Sequence, residues 1–205
     1  MRQSVLIAET VVVDCFEIEK WASAKPGEVE AIVKRFEGLD DTLAPVDIAR
    51  AYVAQAYVGD GCSDLDFNRM ALDTMMKTGR VEDALRLAWD VACRDPFNLD
   101  ALDVLLRIVP PQHDIWKVAA WRFTRLLRAI ASTGDGTSTQ SAFCVVCVQD
   151  EYMFMRAALE LDGISSQELV VEGLRSYDRF TVAPGDKYPH TNIYFEITPF
   201  NISAL

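Results

Sequence analysis

The chain has 205 residues, half of them hydrophobic, enough to bury one sizeable core or two small ones that share an interface. Twenty Lys and Arg stand against 31 Asp and Glu, for a formal charge of −11 and a pI near 4.6. Such a surface repels phosphate backbones and anionic lipid, which excludes nucleic acid and membrane as default partners, whereas a basic protein meets a complementary field.

An apolar run, Val5 to Ala8 and Val11 to Val13, opens the chain and is interrupted or flanked by Glu9, Asp14, Glu17 and Glu19. It is too short and too acidic for a signal peptide or a membrane span, and no small-residue cleavage site follows. Five cysteines (Cys15, Cys62, Cys93, Cys144, Cys147) are odd in number and irregular in spacing, which does not make a disulfide framework. These features predict a protein of the reducing cytoplasm.

Helical signals fill the first two thirds. Pro26 marks a helix start, Val29, Ile32, Val33 and Phe36 share one face, and Gly38 ends the segment. Pro45 opens the next helix, with Ile48, Ala51, Tyr52 and Ala56 as its stripe until Gly59 and Gly61. Residues 65–98 predict a helix pair: one helix ending near Gly79, a second from Val81 to Arg94, and a stop at Asp95-Pro96. The pair resembles a tetratricopeptide unit, with Ala84 at the close approach and Pro96 twelve residues on. Leu72 and Ala88 depart from that pattern, and no second repeat follows, so we read one degenerate unit within a bundle. Asn98 caps a helix carrying Leu99, Leu102, Leu105, Leu106 and Val109, which Pro110-Pro111 ends. The helix from Asp114 to Ala131 buries Ile115, Val118, Ala119, Phe123, Leu126, Leu127 and Ile130.

After Gly134 the period changes. Ala142 to Val148 predicts a strand, Asp150-Glu151 the N-terminus of a helix, and Glu168–Glu172, Tyr177–Val182 and Asn192–Thr198 three more strands. The fold class is therefore α+β. A helical bundle with the tetratricopeptide-like hairpin spans 1–131. A small, mainly antiparallel β-α-β-β-β region spans 132–205 and packs on the helices, with a seam at 132–141.

Gly134-Asp135-Gly136, Ser138, Ala142-Phe143, Val145, Val148 and Asp150-Glu151-Tyr152 form one block. Together with Asp95 to Leu102 and the strand Asn192 to Ile197, it resembles the bacterial family catalogued as domain of unknown function 4919. Members read G-D-G-x-S-x-x-x-A-F-x-V-x-x-V-x-D-E-Y at this place. The resemblance extends over about residues 18–198, loosely at Arg35 to Leu43 and in degraded form at Val53 to Gly59. It implies a shared fold and brings no substrate or catalytic residue.

No nucleophile elbow, Walker loop or H-E-x-x-H is present, so no catalytic, metal or cofactor residue is assigned. Cys144 and Cys147 have metal-like spacing without further ligands, and the acidic helix cap comes after them; we read buried thiols. His113 and His190 are the only histidines; His113 follows Pro110-Pro111 at a helix start, and His190 lies in a turn after Pro189. Gly134, Asp135 and Gly136 make either a ligand loop or a structural hinge, and they lack the lysine of a P-loop. Asp150 and Glu151 make either an acid pair or a cap, and Tyr152 packs beside them. Arg122, Arg125 and Arg128 form a basic row that holds an anion or pairs with acidic neighbours. Trp89, Trp116 and Trp121 serve either as binding anchors or as core.

The expected function is a non-enzymatic acidic protein-interaction module for a basic protein partner, in its specific form an immunity-type inhibitor. The alternative is an enzyme or small-ligand sensor at the helical–sheet junction, built from the Asp135 loop, Asp150, Glu151 and the arginine row.

Overall fold

Asp14 caps the first described helix: its Oδ1 accepts from the amides of Phe16 (3.0 Å) and Glu17 (3.2 Å) ahead of α1 (Cys15–Ala24). The computed structural model describes residues 13–58, 63–161 and 163–201. Most of the apolar run of residues 5–13, Cys62 and the glycine break at Gly59 and Gly61 lie outside the described residues. The helix α1 itself escapes the sequence reading, because its apolar positions are interleaved with acids.

The next helices start and stop where proline, asparagine and glycine dictate. They are α2 (Pro26–Glu37), α3 (Pro45–Val58), α4 (Ser63–Lys77), α5 (Val81–Arg94), α6 (Leu99–Ile108) and α7 (Asp114–Ala131). Pro26 and Pro45 occupy first-turn positions that need no amide donor. Asn98 Oδ1 accepts from the Ala101 amide at 2.9 Å and so starts α6. Ala84, Ala88 and Ala92 are buried on α5 and let the neighbouring helices approach its backbone. Among the described residues, no helix is long and apolar enough to cross a membrane.

The second part is β1 (Phe143–Cys144), α8 (Val148–Ala157), β2 (Ile164–Glu172), β3 (Arg175–Val182), β4 (Asn192–Glu196) and α9 (Thr198–Asn201). The sheet order is β1-β4-β3-β2, with β1 parallel to β4 and the other pairs antiparallel. This is the α+β architecture that the sequence predicts, with three corrections of extent.

The apolar run Ala142–Val148 is not one strand. Its ladder ends where Val145 donates to Glu196; the Val146 amide then turns to the Tyr52 hydroxyl at 3.0 Å, and the helix begins at Val148 rather than Asp150. A continuous apolar run reports burial, and burial alone does not separate a strand from a buried turn. The strand expected over Asn192–Thr198 stops at Glu196, since Pro199 favours a helix start and Thr198 Oγ1 accepts from the Ser176 amide. The strand expected over Glu168–Glu172 begins earlier, at Ile164.

Two apolar clusters hold these elements. Leu72, Ala84, Leu102, Leu105 and Ala119 join α4 to α7. The larger cluster runs from Ile18, Phe36, Tyr52 and Leu126 in the helices to Phe143, Phe154, Phe180 and Phe195 around the sheet. Helix α7 contributes to both. Ring contacts thread the larger one: Phe36 lies 4.6 Å from Phe97 and 5.3 Å from Trp121, and Phe143 4.7 Å from Phe154. Each such pair adds about 1 kcal/mol beyond its buried area.

Candidate functional site

The Gly134–Gly136 loop bonds mostly to itself and to the sheet. The amides of Asp135 and Gly136 both donate to the Ser141 carbonyl, at 2.9 and 2.7 Å. Asp135 Oδ1 accepts from the Thr137 amide, the Thr137 hydroxyl and the Ser141 hydroxyl. Burial opposes ionisation of Asp135, yet these bonds, with a contribution from His190, hold its carboxyl below the usual range. Gly136 has φ +72°, and a Cβ there would stand 2.5 Å from the Phe143 ring; its carbonyl accepts from the Tyr194 amide and the Tyr188 hydroxyl. A Cβ on Gly134 would collide with the Ser141 carbonyl oxygen. The amides of Asp135, Gly136 and Thr137 are thus engaged within the loop, and the loop fastens β1 to β4.

Asp150 and Glu151 lie in the first turn of α8, where the helix dipole favours negative charge, but both side chains are buried. The position before the helix is Cys147, so the acids do follow the cysteines as expected, but the residue at the cap is the thiol and not an acid. Asp150 Oδ2 accepts from the Tyr52 hydroxyl at 2.5 Å, and the same hydroxyl accepts from the Val146 amide. Burial pushes Asp150 up to about 7, helped by Asp100 and Asp95 and opposed by the bonds from Tyr52 and Cys147.

Neither oxygen of Glu151 has a hydrogen-bond donor, and the residue is wholly buried. Burial first, then neighbouring Asp178 and Asp150, push it up to about 9, so it is protonated at neutral pH. Asp178 in turn accepts from Gln167 at 2.7 Å, and Gln167 Oε1 accepts from the Tyr152 hydroxyl at 2.9 Å. The three residues of the D-E-Y triplet therefore diverge: Asp150 toward α3, Glu151 toward β3, Tyr152 toward β2.

The arginine row does not converge on one point. Arg122 is buried and donates to the carbonyls of Ala92 (2.9 Å) and Glu37 (3.1 Å), which ties the ends of α5 and α2 to α7. Arg125 binds the carbonyl and carboxylate of Asp41, and Trp121 Nε1 donates to the same carboxylate. Arg128 is half-buried on the next turn. Trp89 and Trp116 pack against the smaller cluster and Trp121 against the larger. Cys144 and Cys147 are buried, with Cys144 Sγ 3.2 Å from Cys15 Sγ. His113 caps α7 through Nδ1, and the His190 ring lies against Tyr188.

Two features that sequence reasoning missed lie side by side at the junction. The first is a cleft of about 360 Å³ between α4, α6, α8 and the start of β2. Asp73, Asp100 and Asp103 line it with Arg107 and Arg156, and Met153, Met155, Leu161 and Ile164 supply apolar wall. Asp103 is engaged by both arginines, at 3.2 Å each. Tyr152 and Gln149 complete the rim. The second is an apolar strip. Among the described residues eight large apolar side chains are exposed, and six of them belong to α8 and the β2–β3 hairpin: Val148, Tyr152, Ile164, Leu169, Val171 and Leu174. Patches of that kind mark interaction surfaces more often than bare chance placement does. Leu174, beside Gly173 at a hairpin turn, is the one residue whose position in the sequence signals exposure. Leu169 and Val171 alternate like any half-buried strand.

The family described as Domain of unknown function (DUF4919) matches residues 25–203. No curated protein and no solved structure matches the chain.

Proposed function

The chain belongs to the DUF4919 family, whose function is unknown, and we propose from its own surfaces that it is a non-enzymatic module that binds a basic protein partner. The observation that carries this reading is the exposed apolar strip on α8 and the β2–β3 hairpin, bordered by the carboxylates of the junction cleft. An apolar strip supplies the desolvated contact that sustains a complex, and the surrounding acids select a cationic partner and speed its approach. In the specific form, the partner is a toxin and this chain its immunity-type inhibitor, with the α4–α5 hairpin as a tetratricopeptide-like support. The divergence of the D-E-Y side chains and the self-satisfied Asp135 loop both favour a structural role for the family block.

The test is retention on immobilised protein from the lysate of the native source, with mass spectrometry of bound proteins and metabolites. A basic protein held in stoichiometric amount at physiological salt, and lost on Leu169→Glu, is the expected result. Leu169 is 58% exposed, so that substitution leaves the core intact. A retained metabolite with no protein would instead support the ligand-sensor alternative. One observation favours that alternative: a cleft of about 360 Å³ at the junction brings three carboxylates and two arginines together.

A further inference from the structure

Strand β2 is the edge of the sheet, nine residues long, and eight of the nine are exposed while Val170 is half-buried. Its inner edge pairs with β3 from Ile164↔Val182 to Glu172↔Arg175. Among the described residues, no backbone group of Ile164–Glu172 bonds to anything but β3. Edge strands are commonly guarded by proline, lysine or a central bulge. This one has no proline and no lysine, and its single irregularity lies at the start, between Ile164 and Ser166.

The two faces of β2 differ in chemistry. Gln167, Leu169 and Val171 stand opposite Phe180, Asp178 and Ser176, the face on which α8 packs: Tyr152 reaches Gln167 there and lies edge-on to Phe180 at 5.6 Å. Leu169 and Val171 nevertheless remain 58% and 61% exposed, because the helix does not extend over them. The other face carries Glu168 and Glu172. Glu168 pairs with Arg179 through one oxygen, and Glu172 accepts from Thr139 through one oxygen, which leaves a second oxygen on each for an incoming cation. At its first residue, Ile164, the strand runs into the cleft that Asp73 and Asp100 line.

We propose that an extended basic segment of the partner adds to β2 as a fifth strand, alternating apolar and cationic side chains. Its apolar residues lie along Leu169 and Val171 beside Tyr152. Its Lys or Arg residues face Glu168 and Glu172, and the end nearest Ile164 places a cationic side chain in the cleft. Main-chain bonds give the affinity and the period-2 side chains give the selectivity. A second copy of this chain fits the edge poorly, since two β2 strands would bring Glu168 and Glu172 of both copies together on chains of net charge −11. The inference rests on the protein-binding reading above and adds the mode and chemistry of binding.

The test uses the full chain and a nine-residue peptide that alternates lysine with valine. Two further peptides are N-methylated on alternate residues, one set for each strand edge, which removes main-chain donors and keeps charge and side chains. Fluorescence anisotropy reads affinity, and amide hydrogen exchange reads the site. The expected result is slowed exchange within Ile164–Glu172 and an affinity loss of at least tenfold for one methylated peptide and not the other. Equal binding of all three peptides overturns strand addition; if Asp100→Asn then weakens all three alike, the acidic-surface reading survives without it. Absence of binding by the unmethylated peptide at low salt overturns the inference, while retention of a basic protein from lysate would still uphold the wider reading. Dimerisation in sedimentation equilibrium that Val171→Glu abolishes makes a second copy the occupant and also overturns it.

Discussion

Replacing Glu151 by glutamine removes a buried carboxyl that holds its proton through neutral pH. In the unfolded chain this group ionises near its ordinary 4.5. In the folded chain burial, Asp178 and Asp150 move it to about 9. Between those values the native state keeps a proton that the unfolded state has lost, so stability falls as pH rises. The slope is about 1.4 kcal/mol per pH unit for one proton. Asp150, moved mainly by burial from 3.8 to about 7, adds a second proton of the same sense over the lower part of that range. Above roughly pH 7.5, Asp150 is ionised in both states and Glu151 dominates the slope. Cys15, raised first by its bond with Cys144 and then by burial, adds its own loss only above its ordinary 9.0. Glutamine keeps the shape, cannot ionise, and offers an N–H to Asp178 in place of the Glu151 proton. Urea unfolding at pH 5, 7 and 8.5 measures the effect, with an unchanged m-value as the control for a comparable denatured state. The wild type is expected to lose about 2 kcal/mol from pH 7 to 8.5, at the slope of one proton. The Glu151→Gln chain should stay nearly level over that interval and match the wild type within about 1 kcal/mol at pH 5, where both carry a neutral side chain. Equal losses in the two proteins between pH 7 and 8.5 would refute the reasoning.

Tyr52→Phe deletes the hydroxyl shared by Asp150 and the Val146 amide and so takes one hydrogen bond from each of two buried groups; a loss of about 2 kcal/mol in urea unfolding is expected. Gly136→Ala combines a left-handed backbone with a Cβ against the Phe143 ring, and calorimetry should show a loss of about 2 kcal/mol or more. Arg122→Leu strips the buried Ala92 carbonyl of α5 and the part-buried Glu37 carbonyl of α2 of their charged donor, and thermal unfolding should report about 2 kcal/mol, less whatever the apolar side chain regains. For a basic partner bound at the hairpin, raising salt from 0.05 to 0.5 M is expected to slow association at least tenfold and to leave dissociation nearly unchanged, read by stopped flow.

The helical two thirds were legible because their boundaries are written in residues with one dominant conformational role. Pro26, Pro45, Asn98 and the Pro110-Pro111 pair each dictate a start or a stop. The sheet was legible in kind and not in extent. Val145 and Val146 are equally apolar, yet one continues a ladder and the other gives its amide to a tyrosine 94 positions away, a choice made by α3 and not by local sequence. Asp150 and Glu151 show the same limit more sharply. Their place before an apolar helix reads as a solvated cap, but the larger cluster closes over them, and the sequence carries no signal for that closure beyond Tyr52 lying far upstream. The cleft was beyond reach for a similar reason: Asp73 meets the Asp100–Asp103 pair, and α8 closes over both, only when α4, α6 and α8 pack.

That burial also changes what the net charge means. The figure of −11 counts Glu151, which is neutral at pH 7, and Asp150, which is then about half ionised on the pH scale just given. Asp178 and Glu196 are buried as well, the latter against Arg175 at 2.7 Å. Several surface acids are committed to neighbouring bases at helical spacing, as Asp83 is to Arg80 and Arg86 and Glu30 is to Lys34. A field that steers a partner comes from carboxylates placed together and facing solvent, not from the total. At the junction, Asp73 and Asp100 line one open cleft, and Glu172 and Glu168, the latter through the oxygen that Arg179 leaves free, follow along the adjoining strand next to the exposed apolar strip. A basic partner would be steered by these four side chains and not by the composition of the chain, and neutralising them without effect on association would overturn that reading.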